Sequence, residues 1–120
     1  MATFEIKRGD IFIVNFNTTQ GFEVRGIRPA LVIQNDIGNR YSPLTIVAAI
    51  TSTISPVPHP VAVVVEPNSK NGLGVRSSIR LDQIRTVDRQ RLIRRLGALE
   101  LAAMARIDEA LKISLGLIGN

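Results

Sequence analysis

Short apolar runs rich in β-branched residues, each cut by turn formers, dominate this chain as far as Val87 and leave little room for long helices. Asp10-Ile11-Phe12-Ile13-Val14-Asn15-Phe16 predicts a strand, with Arg8-Gly9-Asp10 as the turn before it. Asn17 to Gly26 has no apolar period and predicts a loop. Pro29 to Gln34 predicts a second strand, its proline confined to the opening, where a missing N–H is tolerated. Asn35 to Pro43 is dense in turn formers and predicts another loop. Leu44 to Thr51 is almost wholly apolar and predicts a central strand. Pro56, Pro58 and Pro60 exclude regular structure around His59.

Val61 to Glu66 predicts a fourth strand, and Pro67 to Gly74 a loop. Ser78-Ile79-Arg80-Leu81 and Gln83-Ile84-Arg85-Thr86-Val87 alternate as half-buried strands do. Asp88 to Leu92 predicts a helical turn capped by Asp88. From about Leu99 the period changes. Met104, Ile107, Leu111 and Leu115 form one apolar helical stripe, Asp108 stands four before Lys112, and Gly116 fits a helix end. The expected architecture is mainly β (α+β): one domain over residues 1–120, a small barrel or sandwich of about five to seven strands with a C-terminal α-helix.

With 120 residues the chain can bury a modest core without staples. The absence of cysteine excludes disulfides and thiol chemistry and fits a reducing cytoplasm. No stretch reads as a signal peptide or a membrane span. His59 is the only histidine, and Asp and Glu lack metal-ligand spacing, so no metal and no cofactor are expected. The formal net charge is +5, from 15 Lys and Arg against 10 Asp and Glu. Arginine predominates among the cations, and its planar fork suits phosphate.

Two groups of residues point to chemistry. If the strands opening at Pro29 and closing at Thr51 are antiparallel neighbours, Arg28 comes beside Thr51. A guanidinium next to a hydroxyl can hold a phosphodiester and stabilise charge developing on it. The same two residues also read as an arginine closing a loop and a threonine ending a strand. The second group is Arg85, Arg89, Arg91, Arg94 and Arg95, which reads either as a track for an RNA backbone or acidic segment, or as a solvated rim.

Lys7-Arg8-Gly9-Asp10-Ile11, Gly21-Phe22-Glu23, Gly26-Ile27-Arg28-Pro29 and Val32-Ile33-Gln34-Asn35-Asp36-Ile37-Gly38-Asn39 resemble, in that order, segments of the MazF/PemK family of bacterial toxin endoribonucleases. So do Ile46-Val47-Ala48-Ala49-Ile50-Thr51-Ser52, the run from Asp82 to Leu92 and the run from Asp108 to Ile118. The resemblance implies an SH3-like barrel that works as a homodimer in the cytoplasm. It implies metal-independent cleavage of single-stranded RNA, including mRNA, to 2′,3′-cyclic phosphate and 5′-hydroxyl ends. It also implies an acidic, MazE-like antitoxin lying across the RNA groove, through which the complex binds promoter DNA. Carried over by motif, Arg28 and Thr51 are catalytic and Glu23 is a possible catalytic support. Arg25, Gly26, Ser52, Ser77, Gln83 and Arg85 are expected at the RNA. Arg25 stands where relatives often carry a small residue, and His59 is shifted by one place from theirs. Two other readings are a gyrase-binding toxin of the same barrel class and an inactive RNA-binding barrel. The first lacks its Trp-Gly-Ile tail here, since the chain has no tryptophan.

Overall fold

A computed structural model of the protein describes residues 5–17, 21 and 25–118. Six strands follow the chain: β1 (Asp10–Asn15), β2 (Ile27–Val32), β3 (Leu44–Thr51), β4 (Ala62–Val65), β5 (Ser77–Asp88) and β6 (Leu92–Ala98). A short helix α1 (Asp36–Tyr41) lies between β2 and β3, and α2 (Leu101–Ser114) ends the fold. All strands join one antiparallel sheet in the order β4-β5-β3-β2-β1-β6.

Period-2 alternation sends neighbouring side chains to opposite faces of this sheet. Ile11, Leu31, Ile50, Ile79 and Leu81 pack on one side with Met104, Ile107 and Ala110 of α2. Phe12, Val14, Val32, Val47 and Val87 form a second cluster. Ala110 takes a core place on α2, whereas Leu115, expected in the stripe, is 54% exposed at the helix end. The expected Asp108–Lys112 pair is not made. Asp108 holds Arg8 at 2.8 Å and Lys112 holds Glu109 at 3.1 Å. Glu100, the N-cap of α2, makes no capping bond and instead accepts from Asn68 Nδ2 at 3.1 Å.

Three elements depart from the sequence expectation. Residues 35–43 hold a helix rather than only turns, because Asn35 Oδ1 accepts from Gly38 N at 2.8 Å and nucleates α1. The two alternating runs before Asp88 are one strand, β5, whose pairing with β3 slips at Ala48/Ala49. That slip lies near Asp82, where the alternation breaks. Leu92, expected to end the helical turn, and residues 93–98, for which no element was expected, form β6. The helical turn expected after Asp88 is a 3-10 turn, Arg89–Arg91, capped by Asp88 Oδ1 accepting from Gln90 N at 2.9 Å.

The segment following β4 ties the two ends of the sheet together. Ala98 N donates to Lys70 O at 2.9 Å, which brings the segment against β6. Asn71, only 2% exposed, shapes the segment by donating to Glu66 O and accepting from Asn68 N and Leu73 N. Only glycine permits the approach. A Cβ on Gly97 would lie 2.1 Å from Lys70 O, and one on Gly72 would lie 2.2 Å from Leu96 O.

A buried polar knot anchors α1 to β3. Asn39, 1% exposed, accepts from Gln34 Nε2 and Thr45 Oγ1 and donates to Gln34 O and Asp36 Oδ1. Asp36 also accepts from Arg8 N at 2.7 Å. That backbone bond first, and the Asn39 bond second, hold its carboxyl below the usual carboxylate range. Among the described residues no helix is long and apolar enough to cross a membrane.

Candidate active site

The registers of β1, β2 and β3 build one end of the sheet into a cleft. Ala30 pairs with Ala49, Leu31 with Ala48 and Val32 with Val47, so the same register carried toward the strand ends sets Arg28 opposite Thr51. Both share the parity of Ala30 and Ala49 and hence one face. Arg28, Thr51, Ser52 and Ser77 all line a cleft of about 440 Å³, walled on another side by residues 72–75. The antiparallel neighbourhood expected for the strands opening at Pro29 and closing at Thr51 is the one the fold adopts.

Local hydrogen bonds prepare these groups. Thr51 Oγ1 accepts from Thr53 N at 3.1 Å. With the hydroxyl oxygen already accepting, its proton is free to donate outward. Arg28 Nε donates to Arg25 O at 2.5 Å, while its Nη groups have no partner among the described residues. Arg25 is turned back on its own loop, its Nη2 donating to Gly21 O at 3.0 Å. Gly26 sits at φ +83°, in the left-handed region that favours glycine, and its carbonyl accepts from Phe16 N at 2.8 Å. Ser77 is buried, and its hydroxyl donates to Val75 O at 2.9 Å, which fixes the cleft wall.

The remaining expected site residues are placed elsewhere. Glu23 lies outside the described residues. Gln83 is half-buried at the β5 slip and does not line the Arg28 cleft. Arg85 stacks on Phe16, its guanidinium carbon 5.7 Å from the ring centre. Its Nη1 is buried without a hydrogen-bond partner among the described residues, so the aromatic face serves in place of one. His59 is exposed, and its Nδ1 accepts from Val61 N at 3.4 Å. Asp82 is gripped by the Arg80 fork at 2.9 and 2.6 Å. Burial raises its carboxyl most, yet the Arg80 bonds and charge outweigh that effect and hold it below the usual range.

The electrostatics of the cleft follow from what it lacks. Among the described residues that line it, Arg28 and Arg94 are charged and none is acidic. The cleft beside α1 mixes Glu5 and Asp36 with Lys7, Arg40 and Arg89. The groove under α2 mixes Glu66 and Glu100 with Arg76 and Arg106. Among the described residues no group of three or more His, Asp or Glu side chains could hold a metal ion. An antiparallel sheet whose cleft carries, among the described residues, two arginines and no acid suits a phosphate polyanion.

Comparison with known proteins makes that reading specific. Residues 7–115 match the family described as PemK-like, MazF-like toxin of type II toxin-antitoxin system. The chain is 47% identical over 113 residues to endoribonuclease EndoA of Bacillus subtilis (strain 168), covering 94% of this chain and 97% of that protein. It is 46% identical over 112 residues to endoribonuclease MazF of Staphylococcus epidermidis, covering 93% and 92%. The crystal structure of MazF from Deinococcus radiodurans superposes with a TM-score of 0.81 at 25% identity, over 94% of this chain and 98% of that one. A mycobacterial endoribonuclease solved with its cognate antitoxin shares the fold, with a TM-score of 0.75 at 24% identity over 96% and 99%. This chain belongs to the PemK-like, MazF-like toxin family.

Proposed function

We propose that this chain is the toxin of a type II toxin–antitoxin pair and cuts single-stranded RNA, mRNA included, in the cytoplasm without a metal ion. The observation that carries the reading is the cleft at which the strand register sets Arg28 opposite Thr51, in a chain of this family. RNA brings its own nucleophile, the 2′-hydroxyl beside the scissile phosphate. Its oxygen bonds to phosphorus as its proton leaves, and Glu23 is the carboxylate the sequence offers as acceptor. The P–O5′ bond breaks, and O5′ takes up a proton to leave as a hydroxyl. The other fragment keeps a 2′,3′-cyclic phosphate.

The catalytic task is then to meet charge on the pentacoordinate phosphorus. The free Nη groups of Arg28 suit the developing oxyanions, and the outward proton of Thr51 suits a non-bridging oxygen. Ser52 and Gly26 flank the pair, Ser77 sets the wall, and Arg25, Gln83 and Arg85 shape RNA contacts beyond it. The working form is a homodimer with RNA across the subunit boundary. An acidic antitoxin competes by setting carboxylates where phosphates would lie. Its complex with the toxin binds promoter DNA through the antitoxin.

Incubation with a long single-stranded RNA in the presence of EDTA tests the reading. Cleavage to cyclic-phosphate ends is expected, together with resistance of a substrate carrying 2′-deoxyribose at the cut. Activity that dies with chelation and returns with metal would overturn the mechanism. Intact RNA under both conditions would overturn the function.

A further inference from the structure

The five-arginine group of the sequence is not a uniform basic rim. Arg85 is stacked on Phe16. Arg89 Nη1 donates to Asn39 O at 2.6 Å, Arg91 Nη1 to Asn15 O at 3.2 Å, and Arg95 Nη2 pairs with Asp10 at 3.2 Å. Each of these four already makes a contact within the protein. Arg94 is exposed and has no hydrogen bond or ion pair among the described residues, and it is the one member of the group that lines the Arg28 cleft.

Its position is set by register. Arg94 stands opposite Ile13 on β1, and Ile13 stands opposite Pro29 on β2, the residue after Arg28. Two strand spacings, roughly 10 Å, thus separate the backbone at Arg94 from that at Pro29. Arg28, one residue along and of opposite parity, meets Arg94 only at the sheet end where both line the cleft. Among the described residues this exposed arginine meets no acid in the cleft and makes no contact that holds the fold. It adds a second guanidinium to a site whose reaction needs one at the scissile phosphate.

We infer that Arg94 binds a backbone phosphate of the RNA next to the scissile one, so that cleavage is aided by a two-arginine clamp spanning β1. This rests on the RNA-cleaving function proposed above. Arg94 is a binding residue. It sets where the strand lies, and the phosphorus chemistry stays with Arg28 and Thr51. Because the contact is made equally in the ground and transition states, its loss raises KM and leaves kcat in place.

The test compares wild type with Arg94→Ala and Arg94→Lys in two assays. One is cleavage of long single-stranded RNA. The other is binding of a short mixed-sequence single-stranded DNA, which offers the same phosphates but no 2′-hydroxyl to react. For Arg94→Ala, KM and DNA Kd should rise about three- to tenfold, as for one charge-assisted bond at an exposed site. The slope of log affinity against log salt should fall by about 0.7. Arg94→Lys should restore the slope while recovering only part of the affinity, since it keeps the charge and loses the fork. Unchanged DNA affinity and salt slope in Arg94→Ala, with RNA still cleaved normally, would overturn the clamp and leave the function standing. If the wild type cleaves no RNA, the function falls instead, while a lost DNA contact in Arg94→Ala would still support a phosphate site.

Discussion

Gly97→Ala is a small change that the fold should tolerate badly. The new methyl would stand 2.1 Å from Lys70 O and 2.7 Å from the carbonyl carbon of Asn71. A carbon meets an oxygen comfortably at about 3.3 Å, so the backbones must part by roughly 1 Å. The Ala98 N to Lys70 O bond, 2.9 Å long, cannot survive that separation. An unmade buried backbone bond and local overpacking together cost about 2–4 kcal/mol. At about 3–5 °C per kcal/mol for a domain of this size, melting should fall by about 10 °C. The displaced segment includes the wall of the Arg28 cleft, so RNA cleavage should weaken well below the new melting temperature. Gly74→Ala is the control for melting alone, because its Cβ meets nothing within 4 Å although the residue lines the cleft. Melting curves for both variants and cleavage rates for Gly97→Ala decide the matter. If Gly97→Ala melts with the wild type, the sheet ends are not joined as described.

Arg28→Ala should cut turnover about 10²–10³-fold with native circular dichroism, as for loss of one preorganised donor, and Thr51→Ala should do so by a smaller factor. A substantially active Arg28→Ala would remove it from the chemistry. Asn39→Ala strips four side-chain hydrogen bonds from a residue that is 1% exposed and should destabilise by about 2–4 kcal/mol in urea unfolding. Asp36 has a depressed carboxyl, so its contribution is complete above the unfolded value near about 3.9 and is lost as pH falls through the lower folded value. The stability gap between wild type and Asp36→Asn should therefore be flat at neutral pH and close in acid. A gap that widens in acid would reverse the sign of the argument.

The parts of the fold that announced themselves were those whose side chains are sorted by burial. The β3 strand could be read to its residue bounds because nearly every position in it is apolar. The two halves of β5 alternate, and the break between them was the slip in pairing rather than a turn. The β6 strand was silent, since Arg94-Arg95 and Gly97 blur the period of an edge strand that meets its sheet on one side only. Helix α1 was silent for a different reason. Its six residues include Gly38 and Asn39, and it is held by the Asn35 cap and the Asn39 knot rather than by an apolar stripe. At the site, the sequence set Arg28 beside Thr51 only on the condition that their strands are antiparallel neighbours, and the register of β2 with β3 meets that condition. Arg94 could not be told from its four neighbours, because sequence spacing cannot say which arginines are already spoken for inside the protein.

The pairing of Asp10 with Ala98 and of Val14 with Leu92 has a consequence for how the chain is born. Contacts so distant in sequence form late, and β6 emerges from the ribosome only after β1 to β5. A nascent chain that stops short of residue 92 has neither the strand that carries Arg94 nor the backbone that receives Lys70. Its Arg28 and Thr51 then lie in an unclosed sheet without the far wall of the cleft. The cleft is therefore not walled on that side until β6 is out and paired with β1.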